Sequence, residues 1–178
     1  DPITLDLPKL HGKTLNEHFI RLALNDVSPY LNFAGMLSSI DLPARPKNWL
    51  LKPGWYRYDP NSPEPVKVDY PLEDALVFDV ETMYKVSPYP VLATCASPVA
   101  WYGWVSPYLT GDDPHDNHLI PMNTIDRVRL IIGHNVAYDR ARIKEEYSFK
   151  KTEAFYLDTL SLHAAVTGIC SRQRPVWL

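Results

Sequence analysis

A mixed α/β fold is predicted: three antiparallel strands, then strand–helix units, preceded by a helical and Pro-rich extension. Three observations predict it. Apolar runs at 75–81, 90–96 ("PVLATCA") and 99–105 ("VAWYGWV") succeed one another through short, Pro-bearing links. Links of that kind join antiparallel neighbours, because a parallel crossover needs a dozen or more residues. A fourth run, "RVRLIIGHN" (127–135), leads directly into a helical pattern. The chain of 178 residues is long enough for one sizeable core with appendages.

Residues 1–13 are Pro-rich and irregular. "TLNEHFIRLAL" (14–24) predicts an amphipathic helix, with Thr14 and Glu17 in a capping-box pattern and Leu15, Phe19, Leu22 and Ala23 on one face. "SPYLNFAGMLSSI" holds a second short helical pattern. From 41 to 71 prolines recur among Trp49, Trp55, Tyr56 and Tyr58. Proline disfavours helix there, so the segment reads as extended or turning. Its aromatics predict packing onto a core in preference to an aromatic platform for nucleic acid. The domain reading is therefore an arm over 1–71 packed on a core over 72–178. Beyond the three strands come a polar loop, "GDDPHDNH", and the fourth strand. A helix is predicted over 136–147 with Asn135 as N-cap, then an extended piece at 155–159 and a helix over 160–168 closed by Gly168. There is no internal repeat and no low-complexity tract.

Net charge is −3, so no global basic field marks a nucleic-acid binder, although an acidic metal site would fit that charge. No apolar run approaches the roughly 18 residues of a membrane span. The chain starts at Asp1 without a signal-like or transit-like segment, and is expected to be a processed product or a piece of something longer. Cys95 and Cys170 are far apart and outside any CxxC, which suits free thiols in a reducing compartment.

The chemistry begins in "ALVFDVETMY" (75–84). Asp79 and Glu81 lie two apart, so on a strand they share a face. Two carboxylates on one face repel and resist desolvation, and a divalent cation compensates them most simply. The bland reading is a solvated strand end. In "IIGHNVAYDRARI", Asn135 and Asp139 are four apart and share a helix face. If that helix follows a strand parallel to the first, Asp79, Glu81 and Asp139 meet at the carboxyl ends of the strands, where open α/β sheets place ligands. An oxygen-only set suits Mg2+ or Mn2+ and a substrate phosphate; zinc would want His and Cys. Asp158 reads either as a site acid or as a helix cap. His115 and His118 read as a polar loop, His163 as a core or boundary histidine, and Cys95 as packing. Arg140 and Arg142 are candidates for pairing with nearby acids or phosphate, and "SRQR" (171–174) for contact with DNA or with another part of a longer chain.

"VFDVET" resembles the first motif of the DEDD proofreading exonucleases, and "GHNVAYDRARI" and "YLDTLSLHAA" resemble the second motif and the segment after it. With "LPKLHGKTLNEHFIRLA", "KPGWYRY", "AWYGWVSPYL" and "SRQRP", nearly the whole chain is similar to mitochondrial replicative DNA polymerases of polymerase family A. The resemblance implies a ribonuclease H-like sheet of the DEDD type and 3′→5′ removal of mispaired nucleotides. By it, Asp79, Glu81 and Asp139 hold two Mg2+ (or Mn2+) ions, His134, Asn135 and Arg140 contact substrate, and Asp158 is a near-site acid. It implies as partners the single-stranded 3′ end of a DNA primer, the remainder of the polymerase chain and an accessory processivity subunit. It places the protein in the mitochondrial matrix, at the nucleoid. One departure matters: residues 159–178 contain no Tyr and no Asp, so the third motif, Y-x-x-x-D, is absent. The alternative is a catalytically incomplete structural or DNA-binding fragment. A third reading is an RNA-trimming nuclease of the same superfamily.

Overall fold

The computed structural model describes residues 9–168; Cys170 and the 171–174 basic cluster lie outside them. Two compact units divide the chain, Asp1–Ser39 and Ile40–Leu178. In the first, helix α1 (Leu15–Ser38) runs continuously where two helices are expected, carrying Pro29 inside it. The Thr14 hydroxyl accepts the Glu17 N–H at 3.2 Å, and the Glu17 carboxylate accepts the Lys13 N–H at 2.7 Å. The Thr14 bond is the one the T-x-x-E pattern predicts, while Glu17 reaches back to the N–H of Lys13, one residue before the expected Thr14. Among the described residues no helix is long and apolar enough to cross a membrane.

The second unit is built on one seven-stranded mixed sheet, in the order β2-β1-β5-β4-β3-β6-β7. Its strands are β1 (Gly54–Tyr58), β2 (Val66–Val68), β3 (Ala75–Thr82), β4 (Pro90–Ala96), β5 (Trp101–Val105), β6 (Arg129–Gly133) and β7 (Ala154–Asp158). Helix α2 (Pro107–Thr110) follows β5, α3 (Ala137–Arg140) follows β6, and α4 (Thr159–Thr167) follows β7. β6 and β7 join β3 in parallel; the other pairings are antiparallel. The sequence pattern locates β3 to β7 closely but misses β1 and β2. Their prolines, at 53, 60, 63 and 65, flank the strands and leave every ladder N–H within them intact.

β3 is two-faced. Leu76, Phe78 and Val80 point into the core, and Val77, Asp79 and Glu81 lie on the opposite face, with Val77 still 40% exposed. The core side joins Trp55, Cys95, Tyr102, Trp104 and Ile131 to Ile120, Met122, Val136 and Ile143. Residues 120–124, in the loop before β6, pack on this face. Trp55 donates its indole N–H to the Pro121 carbonyl at 2.8 Å, and Ile120 forms a bridge with Ile143. That bridge explains a second departure. The helix expected over 136–147 stops at Arg140, because Ile143 lies extended at ψ 129 and wholly buried. A 3₁₀ turn at Lys144–Tyr147 follows. There the Glu145 carboxylate accepts the N–H groups of Met122 and Asn123. Tertiary hydrogen bonding replaces the helical bonds that are lost.

On the other face, the segment before β1 crosses β5. Trp101 donates to the Pro43 carbonyl at 2.7 Å, and Trp49 packs on Tyr58 and Trp101 with ring centroids 4.8 and 6.3 Å apart.

Candidate functional site

Parallel pairing gathers the carboxyl ends of β3, β6 and β7 at one edge of the sheet. Glu81 and Thr82 end β3, His134 and Asn135 follow Gly133, and Asp158 stands opposite Gly133 in register. A bulge between Glu81 and Thr82 re-aims the end of β3. The β3–β6 ladder ends at Val77↔Ile132, so the two strands part beyond it. α3 enters at this edge.

Asp139 occupies the gap and is 3% exposed. Burial and then the Asp79 charge push its carboxyl up to about 6, while hydrogen bonds from the Val80 N–H and its own N–H, and the charge of Arg142, offset part of the effect. The acid on α3 thus feels the acid on β3, an interaction the sequence leaves conditional on strand direction. Asp79 and Glu81 themselves are exposed on the open face.

Among the described residues no three His, Cys, Asp or Glu side chains stand closely enough together to hold a metal ion. The donor chemistry nonetheless fits a hard divalent cation. It is all oxygen and acidic, and it contains a buried carboxyl whose charge is opposed by a neighbouring one.

Asp158 is used structurally. Oδ1 accepts the N–H groups of Asn135 (2.8 Å) and Leu160 (3.0 Å), and Oδ2 accepts the Ser161 hydroxyl at 2.9 Å. Partial burial raises its carboxyl, but these hydrogen bonds outweigh burial and hold it below the usual range. It caps α4 and ties the β6–α3 turn to β7. Asn135 is therefore not the N-cap of α3. It adopts φ 63, a left-handed conformation that asparagine tolerates better than most residues. Val136 takes the cap position without a side-chain bond. Thr159 donates its single hydroxyl proton to the Gly133 carbonyl at 3.0 Å, so His134 Nδ1, at 3.1 Å, is the donor to Thr159 Oγ1. Arg140 pairs with Glu146 at 2.7 Å and lies over the Tyr156 ring.

We expect Asp158→Ala to lower stability by about 1–2 kcal/mol through the lost cap and clamp, read as a drop of several degrees in the melting midpoint. A depressed carboxyl contributes stability above its unfolded pKa and loses it as pH falls through its folded pKa. The gap between wild type and variant should therefore close in acid.

Two residues at the edge escape sequence reasoning. The Tyr138 and Thr82 hydroxyls are hydrogen-bonded at 2.7 Å, linking the residue before Asp139 to the residue after Glu81. Arg142 lies 3.7 Å from the Tyr138 ring centroid and donates to the Tyr138 carbonyl at 2.8 Å. Only their adjacency to the acids hints at this in the sequence.

The family model described as "DNA mitochondrial polymerase exonuclease domain" matches residues 1–178. A DNA polymerase gamma of Komagataella pastoris is 50% identical over 178 residues, covering 100% of this chain and 18% of the relative. DNA polymerase gamma of Saccharomyces cerevisiae is 52% identical over 179 residues, covering 100% of this chain and 14% of the relative. The mitochondrial DNA polymerase gamma of Neurospora crassa is 45% identical over 177 residues, covering 99% of this chain and 12% of the relative. The chain thus spans less than a fifth of the length of these curated relatives.

Proposed function

Because this chain belongs to the family of mitochondrial DNA polymerase exonuclease domains, we propose that it is the 3′→5′ proofreading portion of a mitochondrial replicative DNA polymerase. The observation that carries the reading is the meeting of Asp79 and Asp139 at the carboxyl edge of parallel strands, in a chain matched end to end by that family. The reading includes a ribonuclease H-like sheet of the DEDD type.

The reaction is hydrolysis of the 3′-terminal phosphodiester of DNA. The oxygen of water bonds to phosphorus, the bond to the 3′ oxygen of the preceding nucleotide breaks, that oxygen takes up a proton to become a 3′-hydroxyl, and a nucleoside 5′-monophosphate is released. Two Mg2+ or Mn2+ ions, when bound, supply the Lewis acidity that activates water and stabilises the leaving oxygen. Asp79, Glu81 and Asp139 are the residues that would hold them. Glu81 and Asp79 present their oxygens on the open face, and Asp139 adds a third carboxylate from the strand gap, where a bound cation would relieve its repulsion by Asp79. His134 and Asn135 face the substrate from the β6–α3 turn. Arg140 joins them only by exchanging its ion pair with Glu146. The frayed 3′ end arrives as a single strand, at lower cost when it is mispaired.

The relatives' names place the reading in the mitochondrion, and we extend it to the matrix nucleoid. The wider setting comprises the rest of the polymerase chain and an accessory processivity subunit. A second reading, a non-catalytic structural or DNA-binding piece, is favoured by the spacing of the acids, since among the described residues no three acidic side chains stand closely enough together to hold a metal ion. Digestion of 5′-labelled single-stranded DNA separates the two. Shortening from the 3′ end that needs a divalent cation and Asp79 supports the nuclease; no shortening by folded protein supports the second reading.

Tyr138 is a positioning residue in this scheme. Tyr138→Phe removes one hydroxyl bond between the acidic motifs and should slow hydrolysis several-fold with KM little changed. The melting midpoint should move by only a few degrees, since one exposed hydrogen bond is worth about 1 kcal/mol.

A further inference from the structure

The row of residues that runs across the sheet from Asp79 ends beneath an aromatic ring. Asp79 pairs with Thr94, and Thr94 pairs with Gly103. Directly opposed residues project from the same face. A Cβ on Gly103 would lie 3.0 Å from Trp49 Cε3, so the Trp49 ring rests on that glycine. Trp49 is therefore on the face that carries Asp79 and Glu81. It lies two strand spacings away, about 10 Å. Thr94, between them, is exposed.

Trp49 is itself 39% exposed. With Tyr58 it forms one wall of a cavity of about 600 Å³ that also takes in Arg45, Lys47, Pro60 and Pro65. Arg45 and Lys47 are exposed, and neither forms an ion pair among the described residues. Two acids line the cavity as well: Asp59, neutralised by Arg57 at 2.7 Å, and Glu64. An aromatic face beside free cations is the pairing that holds single-stranded nucleic acid: bases stack and phosphates meet charge.

We propose that Trp49 and its cavity form a stacking site for single-stranded DNA, holding nucleotides just upstream of the scissile phosphate while Arg45 and Lys47 meet the backbone. This rests on the proposed nuclease reading for its direction, but not for its test. Gly103 is part of the device, since a side chain there would lift the ring from the sheet.

The experiment is fluorescence anisotropy of the full chain with 5′-labelled oligothymidylates, a dinucleotide and a decanucleotide, in chelator so that hydrolysis is suppressed. We expect the decanucleotide to bind the wild type more tightly than the dinucleotide. Trp49→Leu should lose about tenfold in affinity for the decanucleotide, the lower range of one base–aromatic stack, with the dinucleotide unaffected. Trp49→Tyr should restore most of the loss. The Arg45→Gln, Lys47→Gln double variant, altered only at exposed positions, should flatten the dependence of log affinity on log salt by about 1.4. Three results would overturn the proposal: Trp49→Leu binding like wild type, Leu and Tyr variants weakened alike, or no preference of the wild type for the longer strand. An unchanged salt slope in the double variant would overturn the role of the cations. If the wild type never hydrolyses DNA with Mg2+ yet Trp49→Leu still loses affinity, the stacking site stands and the nuclease reading falls. If the wild type hydrolyses DNA and Trp49→Leu binds unchanged, the nuclease reading stands and the stacking site falls.

Discussion

Replacing Asp79 and Glu81 together by alanine should abolish shortening of 5′-labelled single-stranded DNA, by at least about a thousandfold. The magnitude follows from the charge these carboxylates would organise: Lewis-acid stabilisation is worth several kcal/mol, and about 1.4 kcal/mol is tenfold in rate. Both side chains are exposed on the open face of β3, while Leu76, Phe78 and Val80 anchor the strand on the other. The double variant should therefore melt within a few degrees of wild type, and its loss of activity would not be a loss of fold. Chelator should reproduce the loss in the wild type, and Mg2+ or Mn2+ should reverse it. Residual hydrolysis in the double variant at the wild-type rate would sink the assignment of both acids.

Asp139→Asn should divide stability from activity. The native carboxyl is buried, with burial and Asp79 pushing it up to about 6. An acid whose pKa is raised on folding binds more protons folded than unfolded, so stability falls as pH rises from its unfolded value toward its folded one. Above that window the full penalty, roughly 1–3 kcal/mol, is present in metal-free protein. The amide keeps an acceptor for the Val80 N–H without the charge. In chelator at pH 7–8 the variant should melt about 2–12 °C above wild type, and the difference should vanish below about pH 4. Mg2+ should raise the wild-type midpoint and leave the variant's unchanged. Hydrolysis by the variant should fall by about a hundredfold or more. A variant that melts below wild type in chelator would mean that the carboxylate stabilises the fold outright.

These two acids also show how far local pattern reaches. The i, i+2 spacing of Asp79 and Glu81 determines that they share a face whenever the segment is a strand, because strand side chains alternate. The T-x-x-E start of α1, the positions of β3 to β7 and the Gly168 stop of α4 follow from equally local rules. Pattern could not decide that β6 and β7 join β3 in parallel, which is what brings Asp158, His134 and Asp139 to the end of β3. That pairing depends on closing long loops, and a strand reads the same in either direction. Nor could it decide which partner a versatile side chain takes. Asp158 is held by three N–H and O–H donors, Arg140 by Glu146, and Ile143 by Ile120, each against a local alternative that the sequence equally allows. Local periodicity determined the elements and the faces of this protein. Long-range contact decided which faces meet, because only the folded chain brings competing partners within hydrogen-bonding distance.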